Sequence, residues 1–222
     1  MTSSALTHGR LPPADDALFE RIASALESRG LAVLPDALPA AVAQALLDDL
    51  AQRGESAFHE AGTGRGDDHA TNLFVRRNRI AWIDDHDAGA ARWVAWTGAL
   101  RRYLNRRLFL GLFSFESHFT HYSAGDFYKR HLDAFRGQSN RVLSLVTYLN
   151  PGWLPDQGGE LVIYDPDDGT APLRVSPTFG TLVVFLSEVF PHEVLPAART
   201  RIGVAGWFRV NASVNGHLDP PR

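Results

Sequence analysis

The chain has 222 residues, of which 45% are hydrophobic and 21% are charged, so one large globular domain is expected and a disordered chain is excluded. The formal net charge is −3, which argues against a protein that binds nucleic acid through a basic surface. The sequence contains no cysteine, which excludes a disulfide framework and any zinc site with thiolate ligands.

The N-terminal part of the chain is predicted to be mostly helical. Residues 1–13 are polar and lack the basic start and apolar core of a signal peptide, so a flexible N-terminus of a cytoplasmic protein is expected. Apolar side chains at helical spacing predict helices that end before Gly30, run from about Pro39 to Arg53, and run from about Ala88 to Arg107. Residues 31–34 are predicted to form a short strand. We interpret the helices as packing support for a sheet.

The stretch from Gly54 to Asn78 is rich in glycine and shows no sustained periodicity. A loop of this length is either disordered or a functional lid. It leads into a strand predicted at 79–84, which carries Trp82. A second metal site in this stretch is a minor alternative, and its candidate ligands are His59, Asp67, Asp68 and His69.

From about residue 108 the sequence changes to short strands separated by turn signals, and no stretch is long enough to span a bilayer. Helices followed by many short strands predict a mainly β protein, a jelly roll with flanking N-terminal helices. We predict one domain over 14–222, with helical support over about 14–107 and the jelly-roll core over about 108–210. The predicted strands are 111–122, 127–133, 141–149, 159–164, 172–175, 181–186, 191–195 and 201–210.

The triplet His131-Leu132-Asp133 is the strongest candidate for a metal site. Residues two apart in a strand point to the same face, so the His131 imidazole and the Asp133 carboxylate are predicted to aim at one point. His192, in an apolar stretch, supplies a second imidazole. Two histidines and one carboxylate leave three positions open, which suits non-haem Fe(II), although residue type alone does not exclude Mn, Co or Ni. We predict that these three residues are catalytic metal ligands.

Arg201 follows His192 in the sequence and begins another apolar strand. A buried arginine near such a metal needs an anionic partner, because an unpaired buried charge is costly. A dicarboxylate cosubstrate, held by the bidentate guanidinium fork, would be that partner.

Several segments around these residues form one combined pattern, which is more specific than the three ligands alone. They are Tyr122–Asp133 (YSAGDFYKRHLD), Arg141–Asn150 (RVLSLVTYLN), Gly158–Leu161 (GGEL), Pro191–Val194 (PHEV), Thr200–Arg201 and Gly206–Phe208 (GWF). From about Arg76 to Trp207 the chain resembles the iron(II)- and 2-oxoglutarate-dependent dioxygenases of the prolyl 4-hydroxylase type. The likeness is greatest to the prolyl-hydroxylase-domain oxygen sensors and their bacterial relatives, and it implies a double-stranded β-helix.

The resemblance also implies the cofactor and the cosubstrates. Fe(II) would be the metal, 2-oxoglutarate and dioxygen the cosubstrates, and ascorbate (vitamin C) the reductant. Arg201 would anchor the distal carboxylate of 2-oxoglutarate, with the Tyr148 hydroxyl as a second contact. Tyr122 resembles a pocket tyrosine near the 2-oxo end, and Leu161 and Trp207 resemble pocket walls, although core packing accounts for these two nearly as well. The implied reaction hydroxylates an unactivated C–H bond and releases succinate and carbon dioxide.

On the substrate side, Arg141 resembles a substrate-contacting arginine, while Trp82 and Arg76 resemble residues of a loop that closes over a peptide. The sequence departs from the animal members at Asn78, where they carry an acidic residue. The implied substrate is a prolyl residue in a protein or peptide, and a translation factor such as elongation factor Tu is one candidate by analogy. Residues 55–78 are predicted to be mobile in the free protein and to order over a bound peptide.

Two alternatives stay open on the sequence alone. The first is a hydroxylase of a free amino acid or small metabolite, which would need no lid. The second is a metal-binding jelly roll without turnover, and the presence of Arg201 and Tyr148 argues against it because a simple metal binder needs no dicarboxylate anchor. The sequence carries no signal of an oligomeric state.

Overall fold

The fold is taken from a computed structural model, which describes residues 13–61, 74–84, 89–134, 140–166 and 171–211 and the backbone of two short strands near the C-terminus. The predicted flexible segment 1–13 lies outside the described residues apart from Pro13. Asp67, Asp68 and His69 of the alternative metal site also lie outside them. None of the helices in these ranges combines the length and the apolar character needed to cross a bilayer.

Three α-helices of the described residues form the supporting layer: α1 (Pro13–Arg29), α2 (Ala40–Arg53) and α3 (Ala91–Leu108). The aspartates at 15 and 16 fall within the first turn of α1, where their charge complements the helix dipole. The predicted start of α3 at about residue 88 was too early, since its first residue is Ala91. The apolar stripe of α3 is buried, as the spacing indicates, and consists of Trp93, Trp96, Leu100 and Leu104.

The strands of the described ranges form two main antiparallel sheets and confirm the jelly-roll prediction. The strands are β1 (Leu31–Leu34), β2 (His59–Glu60), β3 (Arg79–Ile83), β4 (Leu112–Tyr122), β5 (Tyr128–His131), β6 (Arg141–Tyr148), β7 (Leu161–Ile163), β8 (Leu173–Val175), β9 (Leu182–Leu186), β10 (His192–Val194), β11 (Arg201–Val210), β12 (Ser213–Val214) and β13 (His217–Leu218). The large sheet has the order β1-β9-β6-β11-β4-β3-β2, and the small sheet has the order β5-β10-β7-β8. A separate hairpin of β12 and β13 lies near the C-terminus.

The two faces of the large sheet pack against different parts of the protein. Side chains such as Phe119, Leu145 and Phe208 point to one face and pack with the helices in the larger apolar core. Their neighbours in the strands point to the other face, where Tyr148 and Phe185 pack against the small sheet in a second core. Because side chains alternate along a strand, the register of the large sheet decides which residues enter the space between the sheets.

Two predicted boundaries need correction. The strand predicted over 127–133 ends at His131, so Asp133 lies just beyond β5 in a bend. The stretch predicted as an irregular loop over 54–78 contains a short helical turn at Glu55–Ala57 and the strand β2, which pairs with β3. The strand β2 carries no strong local signal, because it depends on pairing with β3, which comes later in the chain.

Asn150 ties together the strand ends that carry the candidate cosubstrate residues. Its Nδ2 donates to the carbonyl oxygens of Pro177 and Ile202, each at 2.9 Å. Its Oδ1 accepts from the backbone N–H of Ile202 at 2.7 Å. The end of β6 and the start of β11 are therefore held together by one buried amide.

We expect Asn150→Ala to lower the free energy of unfolding by about 1–3 kcal/mol, because the buried backbone groups that it satisfies lose their partners. Urea denaturation monitored by tryptophan fluorescence measures the change. Gln44→Ala removes a single exposed side-chain hydrogen bond on α2 and serves as the control, with an expected change within about 0.5 kcal/mol. Equal stability of the two variants would show that Asn150 does not hold these strands.

Candidate metal and cosubstrate site

The small sheet brings together three predicted metal ligands. His131 and His192 are directly paired on the neighbouring strands β5 and β10, with ring centroids 4.3 Å apart. Asp133 follows in the bend after β5, and its carboxylate oxygens lie 3.6 Å from His131 Nε2 and 3.7 Å from His192 Nε2. One ligand atom from each residue lies within 4.8 Å of the others. The convergence that the spacing of His131 and Asp133 predicts is therefore present, although Asp133 is outside the strand.

Backbone carbonyl groups fix the orientation of both imidazoles. His131 Nδ1 lies 2.8 Å from the carbonyl oxygen of Lys129, and His192 Nδ1 lies 3.0 Å from that of Phe190. A carbonyl oxygen can only accept, so each Nδ1 carries the proton and donates it. In the neutral form of each ring, Nε2 then presents a lone pair, which is the form in which histidine binds a metal.

The charges and lone pairs of the three residues fit a bound cation. Burial lowers the pKa of His192 to about 4, which keeps its imidazole neutral at pH 7. Burial alone would raise the pKa of Asp133, but His192, His131 and the Ser144 hydroxyl hold it well below its ordinary range. The neutral His192 imidazole therefore faces an ionised carboxylate, with the His131 imidazole on the same side. This set of nitrogen and oxygen donors suits a divalent metal ion.

Aromatic rings pack against both histidines. The Tyr128 ring stacks on His131 with centroids 3.6 Å apart and an interplanar angle of 17°. The Phe185 ring meets His192 edge-on at 4.8 Å. These contacts restrict rotation of the imidazoles about the side-chain bonds and so support the orientation set by the carbonyl groups.

Arg201 lies between the two sheets at the start of β11 and is 3% exposed. Its Nε donates to the carbonyl oxygen of Gly159 at 2.9 Å, and its guanidinium carbon lies 5.0 Å from the centroid of Tyr122 and 4.9 Å from that of Tyr148. Within the described part of the chain, no carboxylate forms a salt bridge with it. A buried guanidinium without an anionic neighbour is costly, so this position fits an anionic ligand.

The Tyr148 hydroxyl supplies a second sign of a missing polar partner. Tyr148 is fully buried, and its hydroxyl proton has no acceptor among the described residues. Burial raises the pKa of Tyr148 to about 12, against the opposing effect of Arg201, so the hydroxyl is a neutral donor at pH 7. A buried donor beside a buried cation fits a carboxylate that accepts from both.

The remaining predicted pocket residues come from both sheets, Tyr122 and Trp207 from the large sheet and Leu161 from the small one. Tyr122 is paired with Arg201 across β4 and β11, and burial raises its pKa. Leu161 is buried in the core between the sheets, on β7. Trp207 is also buried, and its Nε1 has no hydrogen-bond partner among the residues that the structure describes. The roles of Tyr122 near the 2-oxo end and of Leu161 and Trp207 as pocket walls stay predictions.

The three predicted substrate residues lie around the edge of this space. The Arg141 guanidinium stacks 3.6 Å over Trp207 and also donates to Glu116 at 2.8 Å. Trp82, on β3, is 45% exposed. Arg76 lies over the Tyr128 ring at 4.5 Å, next to His131.

Asn78, the position where the sequence departs from the animal members of the resembled family, is buried at this edge. Its Oδ1 accepts a 2.6 Å hydrogen bond from Arg76 Nε. The neutral amide of Asn78 therefore orients Arg76. A hydrogen bond, and not an ion pair between these two residues, holds the segment before β3.

Several residues of the site were not predicted from the sequence. Ser144 donates to Asp133, Glu116 joins Arg141 to Arg209, and His118 lies between Trp82 and Trp207. Burial lowers the pKa of His118 to about 3, so it is a neutral ring in this wall. The two-residue alternation from Tyr122 back to His118 and Glu116, and from Tyr148 back to Ser144, is the signal that could have found them. Using it requires the strand register.

The chain is similar to known oxygenases. The model of the 2OG-Fe(II) oxygenase superfamily matches residues 117–209, which include the three candidate ligands and Arg201. A prolyl-4-hydroxylase of Pseudomonas putida is 38% identical, and the match covers 88% of this chain and 100% of that chain with a TM-score of 0.77. This chain belongs to the 2OG-Fe(II) oxygenase superfamily.

Within the superfamily the chain is prolyl hydroxylase-like. A prolyl hydroxylase of Trichoplax adhaerens, solved with a peptide fragment of the hypoxia inducible factor oxygen degradation domain, is 25% identical over 88% of this chain and 90% of that chain, with a TM-score of 0.75. Egl nine homolog 1 of Homo sapiens is 24% identical over 205 residues, covering 88% of this chain and 47% of that protein. This chain thus spans about half the length of that curated relative. Dependence on Fe(II) and 2-oxoglutarate is expected for this family.

Proposed function

We propose that this protein hydroxylates a prolyl residue in a protein or peptide, using Fe(II), 2-oxoglutarate and dioxygen. The observation that carries the proposal is the position of Arg201 and the Tyr148 hydroxyl, a buried cation and a buried donor on the same side of the large sheet as the candidate metal ligands. A jelly roll that only bound a metal would have no need of a dicarboxylate site. The prolyl hydroxylase relatives support the choice of substrate.

The proposed reaction is balanced by the two cosubstrates. One oxygen atom of dioxygen enters the substrate C–H bond as a hydroxyl group, and the other enters succinate as 2-oxoglutarate loses carbon dioxide. When bound, Fe(II) would supply the activation of dioxygen that couples these two oxidations. Ascorbate is proposed as the reductant that keeps the metal in the ferrous state.

The residues of the chain bind and orient the reactants. His131, Asp133 and His192 would hold the metal on one side and leave the opposite positions open. Arg201 and Tyr148 would hold the distal carboxylate of 2-oxoglutarate, so that its other end points toward the metal. The apolar side chains between the sheets exclude water from this space, which strengthens the interaction of Arg201 with an anion.

A peptide substrate is supported by the edge of the site. Trp82 presents an exposed indole beside His118, whose ring it meets edge-on at 5.1 Å. Exposed aromatic side chains at the rim of a cleft are frequent anchors for peptides, because they bury a large area with few rotatable bonds. A free amino acid that fits between the sheets would not need a contact with an exposed residue at the rim. The predicted ordering of residues 55–78 over a peptide falls in part outside the described residues and stays a prediction.

The proposed substrate class can be tested in the cell. Proteomes with and without the protein, compared by mass spectrometry, should differ at prolyl residues that gain the mass of one oxygen atom. Purified protein should then release succinate in the presence of the peptide identified, and elongation factor Tu is included as a candidate. Succinate release that occurs with free proline or another small metabolite but with no peptide tested would contradict a protein substrate.

We expect Trp82→Ala to raise the KM for a peptide substrate by about tenfold, which corresponds to the loss of one interface anchor of about 1.4 kcal/mol. The KM for 2-oxoglutarate should not change, because Trp82 lies away from Arg201. Initial rates at varied peptide and fixed 2-oxoglutarate measure the effect. Phe109→Ala removes an 88% exposed aromatic ring after α3 and should leave both constants unchanged. A peptide KM that is unaltered in Trp82→Ala removes the anchor role.

A further inference from the structure

Two serine hydroxyls form a short hydrogen-bond chain that ends on Asp133. Ser144 Oγ donates to Asp133 Oδ2 at 2.6 Å, and Ser144 Oγ lies 2.9 Å from Ser187 Oγ. Both serines are buried. A hydroxyl group carries one proton, and Ser144 donates its proton to Asp133, so Ser187 must donate to Ser144. The direction of both hydrogen bonds is thereby fixed.

The three candidate ligands differ in how they are held. His131 and His192 each donate to a backbone carbonyl group and pack against an aromatic ring. Asp133 lies beyond the end of β5, and its carboxylate accepts a 2.6 Å hydrogen bond from Ser144. The orientation of its carboxylate therefore depends on a hydroxyl group of the other sheet.

The sheets hold this hydroxyl group firmly. Ser144 lies on β6, paired with Trp207 of β11 and Phe185 of β9, and so points into the space between the sheets. Ser187 comes directly after β9, and its backbone N–H donates to the carbonyl oxygen of Val142 at 3.0 Å. Both hydroxyl groups are thus placed by strands that are themselves paired.

We propose that Ser144, supported by Ser187, is a positioning residue that sets the orientation in which Asp133 binds the metal. The hydrogen bond takes one lone pair of Oδ2 and thereby favours Oδ1, which lies 3.6 Å from His131 Nε2, as the oxygen that would bind the metal. A carboxylate that offers a single oxygen keeps open the positions that a bidentate cosubstrate and dioxygen require. This inference rests on the proposed function, because it assumes that the three facing ligands hold a metal.

Binding of Co(II) alone to the metal-free full chain tests the proposal without turnover. Visible absorption during the titration reports both the affinity and the coordination of the ion. Ser144→Ala should weaken Co(II) binding by about 10–100-fold, the usual cost of losing an outer-shell partner, and should change the absorption spectrum. Ser187→Ala should have a smaller effect in the same direction, because Asp133 keeps its direct donor. Ser144→Thr, which keeps the hydroxyl, should bind nearly as the parent protein does.

Thr147→Val is the matched control. Thr147 is a fully buried hydroxyl residue on the same strand as Ser144, but it is paired with Val204 and Leu182 of the core that packs on the helices. Its replacement should leave Co(II) affinity and spectrum unchanged. Circular dichroism of each variant verifies that the fold is retained.

The outcomes separate this proposal from the proposed function. Unchanged Co(II) affinity and spectrum in Ser144→Ala would overturn the positioning role, and so would a loss of thermal stability without any change in Co(II) binding. Should Ser144→Ala fail to fold, Ser187→Ala decides, since unchanged binding there overturns the chain of hydroxyl groups. A parent protein that binds Co(II) but releases no succinate with any substrate would contradict the proposed function and leave the Ser144 result intact.

Discussion

Replacement of Asp133 by alanine is expected to abolish Fe(II)-dependent turnover of 2-oxoglutarate while the fold is retained. The carboxylate supplies the negative charge among the three facing ligands, and its oxygens lie 3.6 and 3.7 Å from the two Nε2 atoms. Without it two neutral imidazoles remain, which is too few ligands for a ferrous site. The loss should exceed the roughly 100-fold cost of removing an outer-shell partner. Succinate formation in the presence of added Fe(II) measures it, and His131→Ala should behave in the same way.

The structure also gives the control and the contrary outcome. Asp16→Ala removes an exposed carboxylate from the first turn of α1 and should leave turnover unchanged. Metal binding can be followed in parallel by Co(II) absorption, so that loss of the site is distinguished from loss of the fold. Normal turnover in Asp133→Ala would mean that the metal is held elsewhere.

Replacement of Arg201 by alanine is expected to weaken 2-oxoglutarate binding and to spare the metal. Loss of a charged partner from a buried pair costs about 2–5 kcal/mol, which corresponds to a KM raised roughly 30- to 4,000-fold. Arg201→Lys should recover part of the affinity, because an ammonium group keeps the charge and loses the bidentate fork. Initial rates at varied 2-oxoglutarate, together with Co(II) binding, measure the two effects separately.

The fold of Arg201→Ala should be no less stable than that of the parent protein in the absence of ligand. Arg201 is 3% exposed and has no salt bridge with the described residues, so its removal relieves a buried charge that lacks an anionic partner. Arg174→Ala, on the exposed strand β8, is the control and should change neither KM nor stability. An unchanged KM for 2-oxoglutarate in Arg201→Ala would exclude the anchor role.

Much of this architecture is local in origin and could be predicted. The apolar stretch that begins at Arg201 placed β11 at 201–210, the bounds that the structure has. Because side chains alternate along a strand, Arg201 and Trp207 lie on one face of β11 and Tyr148 lies on the matching face of β6. The spacing of His131 and Asp133 also sufficed to bring them together, because a bend after the strand keeps their side chains on the same side.

The features that the sequence did not reveal depend on pairing between distant segments. Ser144 and Ser187 are ordinary serines until β6 and β9 are placed side by side. The position of Asn150 between two strand ends can likewise be recognised only when β11 is present. Short strands such as β2 are stabilised by their partner rather than by their own residues, so local patterns do not identify them.

The division of the site between the two sheets couples ligand binding to the stability of the whole fold. The histidines belong to the small sheet, whereas Arg201 and Tyr148 belong to the large one. Any molecule that contacts both groups binds only the folded arrangement and therefore holds the sheets together. A ligand present at 100 times its dissociation constant raises the free energy of unfolding by about 2.7 kcal/mol. The melting temperature of this protein is thus a direct measure of occupancy, by which metals, dicarboxylates and inhibitors can be ranked before any substrate is known.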